Sequence, residues 1–245
     1  MTTDLFQGQT TAAALFADRY PVQPHTAGGH VIDIHDGKLH YAPTFFSRKI
    51  ADRALQLMLA NDQQLGTGTN WHDIDINSVH FASINWRQDT IHMINRTVAL
   101  PRLTAWYGDD DRAYTFSGLT LNPNPWNPML TWFRDQLQQL TGIRFNSVLL
   151  NWYRSGDDHI SWHADDEREL GRNPVIASIN LGATRRFLLR RKDDKQHKIE
   201  LPLGHGSLLV MSGAVQHHWQ HSVPKQAKVR ADRINMTFRH IVGPD

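Results

Sequence analysis

The sequence predicts an α+β fold that is mainly β: an antiparallel sandwich or barrel, buttressed by helices on its N-terminal side. Three observations predict it. From Phe145 onward, short segments rich in β-branched and aromatic residues alternate with turns. Two stretches with apolar residues at helical spacing precede them. The 245 residues, 40% of them hydrophobic, suffice for a sizeable core in one large domain or two small ones.

Residues 1–40 have no clear periodicity and read as an irregular N-terminal arm. Ser47 is placed to cap a helix over 47–60, with Ile50, Ala54, Leu57 and Met58 on one face. Asn61–Asn70 is polar and contains glycine, so it reads as a loop. Val79–Val98 holds two β-like runs, HFASINW and TIHMI, divided at Arg87–Asp89, and Gly108–Asp111 is an acidic turn. Pro125 and Pro128 lie near the start of a second helix over 126–140. It presents Met129, Trp132, Phe133 and Leu137 on one face and ends at Gly142. Eight strands follow: FNSVLLNWY, ISWHAD, VIASINLG, RRFLLRR, KIELPL, GSLLVMS, HHWQHSV and RINMTFRHI. The chain so divides into regions 1–40, 41–142 and 143–245, without repeats or low-complexity segments.

Composition narrows the chemistry. There is no cysteine, so disulfides and thiolate ligands are excluded and any metal would use His, Asp or Glu. No apolar run reaches the roughly 18 residues of a membrane-spanning helix. Met1–Phe16 lacks the basic and apolar regions of a secretory signal. The expectation is a cytoplasmic protein with no membrane partner. A net charge of +2 names no partner either. Its distribution says more, because Thr184–Lys198 sets seven basic side chains against only Asp193 and Asp194. Such a segment attracts phosphates, unless it is simply a solvated strand and turn.

Three polar patterns stand out within the strands. His163-x-Asp165 arises by chance about once in a chain with 15 histidines and this many aspartates. In a strand, however, period two points both side chains to one face. A second histidine from a distant strand would complete a two-His, one-carboxylate triad, the arrangement that leaves coordination positions open on non-haem iron(II). Six residues are candidates: His197, His205, His217, His218, His221 and His240. The second pattern is the C-terminal strand, where Ile234, Met236 and Phe238 alternate with Arg233, Asn235, Thr237 and Arg239. If the polar face is inward, two arginines need an anionic partner, and a dicarboxylate suits the planar guanidinium; if outward, solvent suffices. The third is Asn151-x-Tyr153, a polar pair on one face of an apolar strand, which reads equally as a buried structural hydrogen bond.

Taken together and in order, NWYRSGDDHISWHADDEREL, PVIASINLGATRRFLLR, HGSLLV, HHWQHSVPK and RINMTFR resemble the core of the AlkB family of iron(II)- and 2-oxoglutarate-dependent dioxygenases. The resemblance spans roughly residues 100–241 and includes YTFSGLTLNPNPW at 114–126, similar to the subfamily acting on alkylated nucleic acid. It implies a double-stranded β-helix (jelly-roll, cupin-like) catalytic core over 143–245. Helices and nucleotide-recognition hairpins would fill 41–142, all within one catalytic domain of a monomer. It also implies the residue roles. His163, Asp165 and His221 are the metal ligands. Asn151, Tyr153, Arg233, Asn235 and Arg239 match the residues at 2-oxoglutarate. Tyr114 and Phe116 match aromatic base-pocket residues, though both read equally as core, and Glu167 matches an acidic residue near the damaged base. The implied cofactors are Fe(II), 2-oxoglutarate as co-substrate, and O2.

The implied activity is oxidative dealkylation of bases such as 1-methyladenine and 3-methylcytosine in DNA and, as a second class, RNA, with release of formaldehyde. The target base would have to be flipped from its stack. The hairpin-like WRQDTIHMINR at 86–96 could present Met93 or Ile94 as an apolar wedge. Duplex-repairing relatives carry an aromatic residue near Ile94 and a longer basic loop near 185–198, so this chain departs toward single strands. Two alternatives stay open: an AlkB-type oxygenase acting on a protein or small molecule, and a non-enzymatic β-domain that binds nucleic acid through its basic strand.

Overall fold

The computed structural model describes residues 15–16, 18–61, 83–93, 96–109, 114–116, 119–121 and 123–242. Alternation along the last strand shows how the layers arise. Between Arg233 and Arg239, Ile234, Met236 and Phe238 are buried on one face in the same cluster as the helices. Arg233, Asn235 and Arg239 are buried on the other face, toward a second sheet.

In chain order the elements begin with β1 (Val22–Pro24), β2 (His30–Ile34), β3 (Gly37–Ala42) and α1 (Arg48–Ala60). The hairpin β4 (Thr90–Met93) and β5 (Arg96–Ala99), the strand β6 (Leu103–Gly108), the hairpin β7 (Tyr114–Phe116) and β8 (Leu119–Leu121), and α2 (Pro128–Thr141) follow. The eight expected strands are all present: β9 (Ser147–Tyr153), β10 (Ile160–His163), β11 (Ile176–Gly182), β12 (Arg185–Arg191), β13 (Lys198–Leu203), β14 (Ser207–Ser212), β15 (Trp219–Val223) and β16 (Arg233–Arg239). A short helix α3 (Val215–His218) leads into β15. One sheet has the order β1-β2-β3-β14-β11-β16-β9-β6, and a smaller one has β10-β15-β12-β13. From β9 to β16 the chain passes back and forth between the two sheets, which is the double-stranded β-helix.

The helices begin and end where local chemistry places them. Ser47 Oγ accepts from Ile50 N–H, and Asn127 Oδ1 accepts from Leu130 N–H at 3.0 Å. Gly142 takes the left-handed conformation (φ 71°) that ends α2. Both helices lie on the outer face of the large sheet. There Ala54, Leu57, Met58, Met129, Phe133 and Leu137 share one core with Val148, Leu150, Ala177 and Ile179. A second core lies between the sheets, where Leu149, Tyr153, Phe187, Leu189, Met211 and Val223 meet.

Two expectations are corrected. The arm assigned to residues 1–40 is not irregular over its second half, because β1–β3 extend the large sheet, with β3 antiparallel to β14 from Ala42↔Leu208 to Lys38↔Ser212. Ile32, Ile34, Leu39 and Tyr41 alternate onto the inter-sheet core, and the strand that pairs with them lies far along the chain. Residues 1–14 are outside the described residues, as are Ile94 and positions 62–70 of the expected loop. The basic stretch is not a free cationic surface either. Arg186 grips Glu200 (2.7 and 2.6 Å), Arg191 holds Asp36 and Asp193, and Lys192 reaches Asp166 at 2.7 Å. Arg190 lies over Trp162 and bonds Gln220, and Arg185 is buried. Among the described residues, no helix is long and apolar enough to cross a membrane.

Candidate metal centre

The site forms where the polar face of the large sheet meets the inner face of the small one. In the small sheet β10 pairs with β15 so that His163 lies directly opposite His221, and their ring centroids are 4.2 Å apart. Asp165 follows two residues after His163, onto the same face. One potential ligand atom from each of the three lies within 4.8 Å of the others, and they form the only such group among the described residues. The register thus selects His221 from six candidates. The other five are engaged elsewhere. His197 bonds Tyr20, His205 lies between Gly182 N–H and Asp52, and His217 accepts from Asn173 N–H. His218 is near Asp36, and His240 bonds the Arg144 carbonyl.

Each ligand is held by a neighbour. His163 Nδ1–H donates to the Ser161 carbonyl at 2.8 Å, which leaves the Nε2 lone pair toward Asp165 Oδ1, 3.9 Å away. Phe187 stacks on His221, with centroids 5.3 Å apart. Arg239 donates to Asp165 Oδ2 from Nη2 (2.8 Å) and Nε (3.1 Å), and Gln216 Oε1 accepts from Asp165 N–H at 3.0 Å. Asp165 Oδ1 is buried with no hydrogen-bond partner among the described residues. A cation at that oxygen would complete it, and two imidazoles and a carboxylate are the donor set that suits iron(II).

The electrostatics favour deprotonated ligands. Burial by itself would raise Asp165, but Arg239, His221 and His163 outweigh it and hold the carboxyl down to about 2. Burial, with His163 adding to it, pushes His221 down to about 3, and burial lowers His163 as well. A histidine whose folded pKa lies below its unfolded value stabilises the fold above the unfolded pKa. That stability is lost as pH falls, because the unfolded chain takes up the proton first. The metal-free protein should therefore hold its stability above about pH 6.5 and lose it progressively toward pH 3. Melting curves from pH 8 to 4 measure this, with His221→Leu flattening the slope; a parent melting temperature that does not fall across that range would contradict it.

Beside the His163–Asp165–His221 cluster lies a cleft of about 500 Å³ of empty space, part of it open to solvent. Asn151, Tyr153, Arg233, Asn235, Thr237 and Arg239 line it together with His163, Asp165 and His221. Arg233 is 1% exposed. Its Nη2 donates to Asn180 Oδ1 at 2.6 Å and its guanidinium carbon sits 4.9 Å from the Tyr153 ring centroid. Its Nε and Nη1 have no hydrogen-bond partner among the described residues, and burial lowers its pKa to about 10. Two unpaired donors on a buried cation fit a carboxylate of 2-oxoglutarate. Asn235 gives its amide to Ser178 and Asn180 and accepts from Thr237, so it braces the cleft from within. Arg239 reaches Asp165.

Of the remaining site residues, only Glu167 has a described side chain. Tyr114 and Phe116 stand on β7, with their side chains outside the description, as are those of Met93 and its neighbours in β4. Glu167 is half-buried before a 3-10 turn, Arg168–Leu170, and does not line the cleft. Sequence reading missed Ser178 and Asn180, although SIN in β11 shows the same polar alternation as β16. It also missed Gln216, Phe187 and Arg102, whose Nε donates to Asn151 Oδ1 at 2.7 Å. No local pattern marks those three.

Comparisons with known proteins agree with this geometry. A family profile described as the 2OG-Fe(II) oxygenase superfamily matches residues 67–239. Alpha-ketoglutarate-dependent dioxygenase alkB homolog 3 of Bos taurus is 46% identical over 171 residues, 66% of this chain and 59% of that protein. DNA oxidative demethylase ALKBH2 of Homo sapiens is 46% identical over 159 residues, 62% of this chain and 61% of that protein. The chain spans about three fifths of the length of these curated relatives. A solved structure, "The structure of OsALKBH1", is 18% identical with a TM-score of 0.50 and covers 82% of this chain and 97% of that one, a likeness of fold.

Proposed function

The chain belongs to the 2OG-Fe(II) oxygenase superfamily, in its AlkB branch, and from that membership we propose that it repairs N-alkylated nucleobases by oxidative dealkylation. One observation carries the chemistry: a His163–Asp165–His221 cluster lies in the same cleft as the buried Arg233, two of whose donors have no partner among the described residues. The nucleobase substrate is supported by the relatives, one of which is named a DNA oxidative demethylase.

When bound, iron(II) with 2-oxoglutarate and O2 supplies the oxidation: one oxygen atom goes to the 2-oxoglutarate carbons, giving succinate and CO2, and the other to the N-alkyl C–H bond, so that a methyl group leaves as formaldehyde. The chain's own residues position and protect. His163, Asp165 and His221 would hold the metal. Arg239 occupies Asp165 Oδ2, which leaves Oδ1 as the oxygen that could serve as ligand. Arg233 would receive a carboxylate of the dicarboxylate, and Asn180 holds its Nη2 in place. Leu149, Ile160, Met211 and Val223 give the cleft apolar walls. By the resemblance to the family, Tyr114 and Phe116 would stack on the flipped base, an interaction worth about 1–3 kcal/mol.

The preferred substrate is single-stranded. Five of the seven basic side chains in 184–198 are engaged within the protein, which leaves little charge there to grip a second strand. Oligonucleotides carrying 1-methyladenine or 3-methylcytosine, as matched single strands and duplexes of DNA and RNA, should release formaldehyde only with Fe(II) and 2-oxoglutarate, and faster as single strands. Consumption of 2-oxoglutarate without formaldehyde from either base would favour a protein or small-molecule substrate instead.

A further inference from the structure

Arg185 is a buried cation that the proposed reaction does not use. Its guanidinium donates to four oxygens: Nε to Gln226 Oε1 (3.1 Å), Nη1 to the Ser155 carbonyl (2.9 Å), and Nη2 to the carbonyls of Asp158 (2.9 Å) and Pro224 (2.8 Å). These acceptors belong to two loops. The first, 154–159, runs from Asn151 and Tyr153 on β9 to His163 on β10. The second, 224–232, runs from His221 on β15 to Arg233 on β16. Gly156 joins the same loops, because its N–H donates to the Val229 carbonyl and its own carbonyl accepts from Gln226 N–H, each at 2.8 Å. The approach is so close that a Cβ at Gly156 would collide with the Gln226 carbonyl.

Arg185 also faces the cleft's aromatic ring. Its guanidinium carbon lies 5.6 Å from the Tyr153 ring centroid, and that of Arg233 lies 4.9 Å from the same centroid. The neighbouring carboxylate, Asp158, is already gripped by Arg154 at 2.7 and 3.0 Å. Burying a cation without a carboxylate of its own is costly. What the guanidinium contributes that a smaller group would not is a rigid fork spanning both loops, and a second positive charge beside the ring.

We propose that Arg185 is a positioning residue for the dicarboxylate: it locks together the loop that follows Tyr153 and the loop that precedes Arg233, and its charge strengthens the anion site without touching the ligand. This rests on the reading that Tyr153 and Arg233 receive 2-oxoglutarate. The test compares Arg185→Met, Arg185→Lys and Arg233→Met in the full chain loaded with Mn(II) under anaerobic conditions. Calorimetry gives the Kd for 2-oxoglutarate, spin resonance gives the Mn(II) affinity, and turnover with Fe(II) gives KM and kcat separately.

Arg185→Met should raise the 2-oxoglutarate Kd and KM about tenfold, as losses of supporting residues around a site commonly do. Mn(II) affinity and kcat at saturating 2-oxoglutarate should stay within about twofold of the parent, because Arg185 bonds Gln226, Ser155, Asp158 and Pro224 and is not a supporting partner of His163, Asp165 or His221. Arg185→Lys keeps the charge but not the fork and should fall between. A Kd within twofold of the parent, or an equal loss of metal affinity, kcat and co-substrate affinity, would overturn the proposal. If Arg185→Met does not fold, Arg185→Lys decides by the same criterion. Arg233→Met separates the two readings. If it weakens 2-oxoglutarate while Arg185→Met does not, only this inference fails; if it leaves the Kd unchanged, the assignment of the cleft fails.

Discussion

Replacing Asp165 with alanine is expected to remove divalent-metal binding and with it roughly a thousandfold or more of turnover, since the oxidation depends on the bound metal. The same substitution should also destabilise the protein, by about 3–5 kcal/mol, because it takes the carboxylate from a buried ion pair and leaves Arg239 in place. The pair is tight, with Arg239 Nη2 2.8 Å from Asp165 Oδ2 and Asp165 1% exposed. Asp165→Asn separates the two effects. The amide oxygen can still accept from Arg239, so most of the stability should survive. The ligand charge does not, so metal binding should still collapse. Mn(II) titration and urea unfolding on both variants measure this. If Asp165→Asn binds Mn(II) within tenfold of the parent, Asp165 is not a ligand.

Arg233→Met should do the reverse: abolish co-substrate binding and leave the fold intact or firmer. Arg233 is buried, with Nε and Nη1 unpartnered, so in the absence of an anion its charge is a burden on the fold. An apolar side chain of similar length removes that burden, and such replacements commonly stabilise by about 1–4 kcal/mol. The loss of the Nη2 bond to Asn180 offsets part of this, and Asn180 Oδ1 keeps the Asn235 amide at 3.3 Å. The KM for 2-oxoglutarate should rise about 100-fold or more, the equivalent of about 3 kcal/mol for a charge-assisted pair. Lysine should rescue little, because it cannot present two parallel donors. Thermal melts with and without 2-oxoglutarate, beside steady-state kinetics, give both readings. A KM within threefold of the parent would remove Arg233 from the site.

The parts of the fold that were legible share a physical basis. The strands β9–β16 were read because short runs rich in β-branched and aromatic residues sit between turn signals, and both helices because Ser47, Gly142 and their apolar faces are equally local signals. β1–β3 were not read. They are short, they follow one another with weak alternation, and they are held by pairing to β14, which the local chain does not encode. The basic segment stayed open between a phosphate patch and a solvated strand for a related reason: Asp36, Asp166 and Glu200, which pair with three of its cations, are brought to it by folding.

The amino-acid sequence by itself determined which residues share a face: His163 with Asp165, Arg233 with Asn235, Thr237 and Arg239, and Asn151 with Tyr153. That follows from backbone pleating, which needs only neighbours along the chain. Tertiary structure alone decided what those faces meet. The β10–β15 register set His221, of six histidines, opposite His163. The small sheet lies over the polar face of β16, so Arg233 is buried rather than wetted. Register and burial depend on strands far apart in the chain, and it is the enclosed space between two sheets that makes a cleft for a metal and a dicarboxylate.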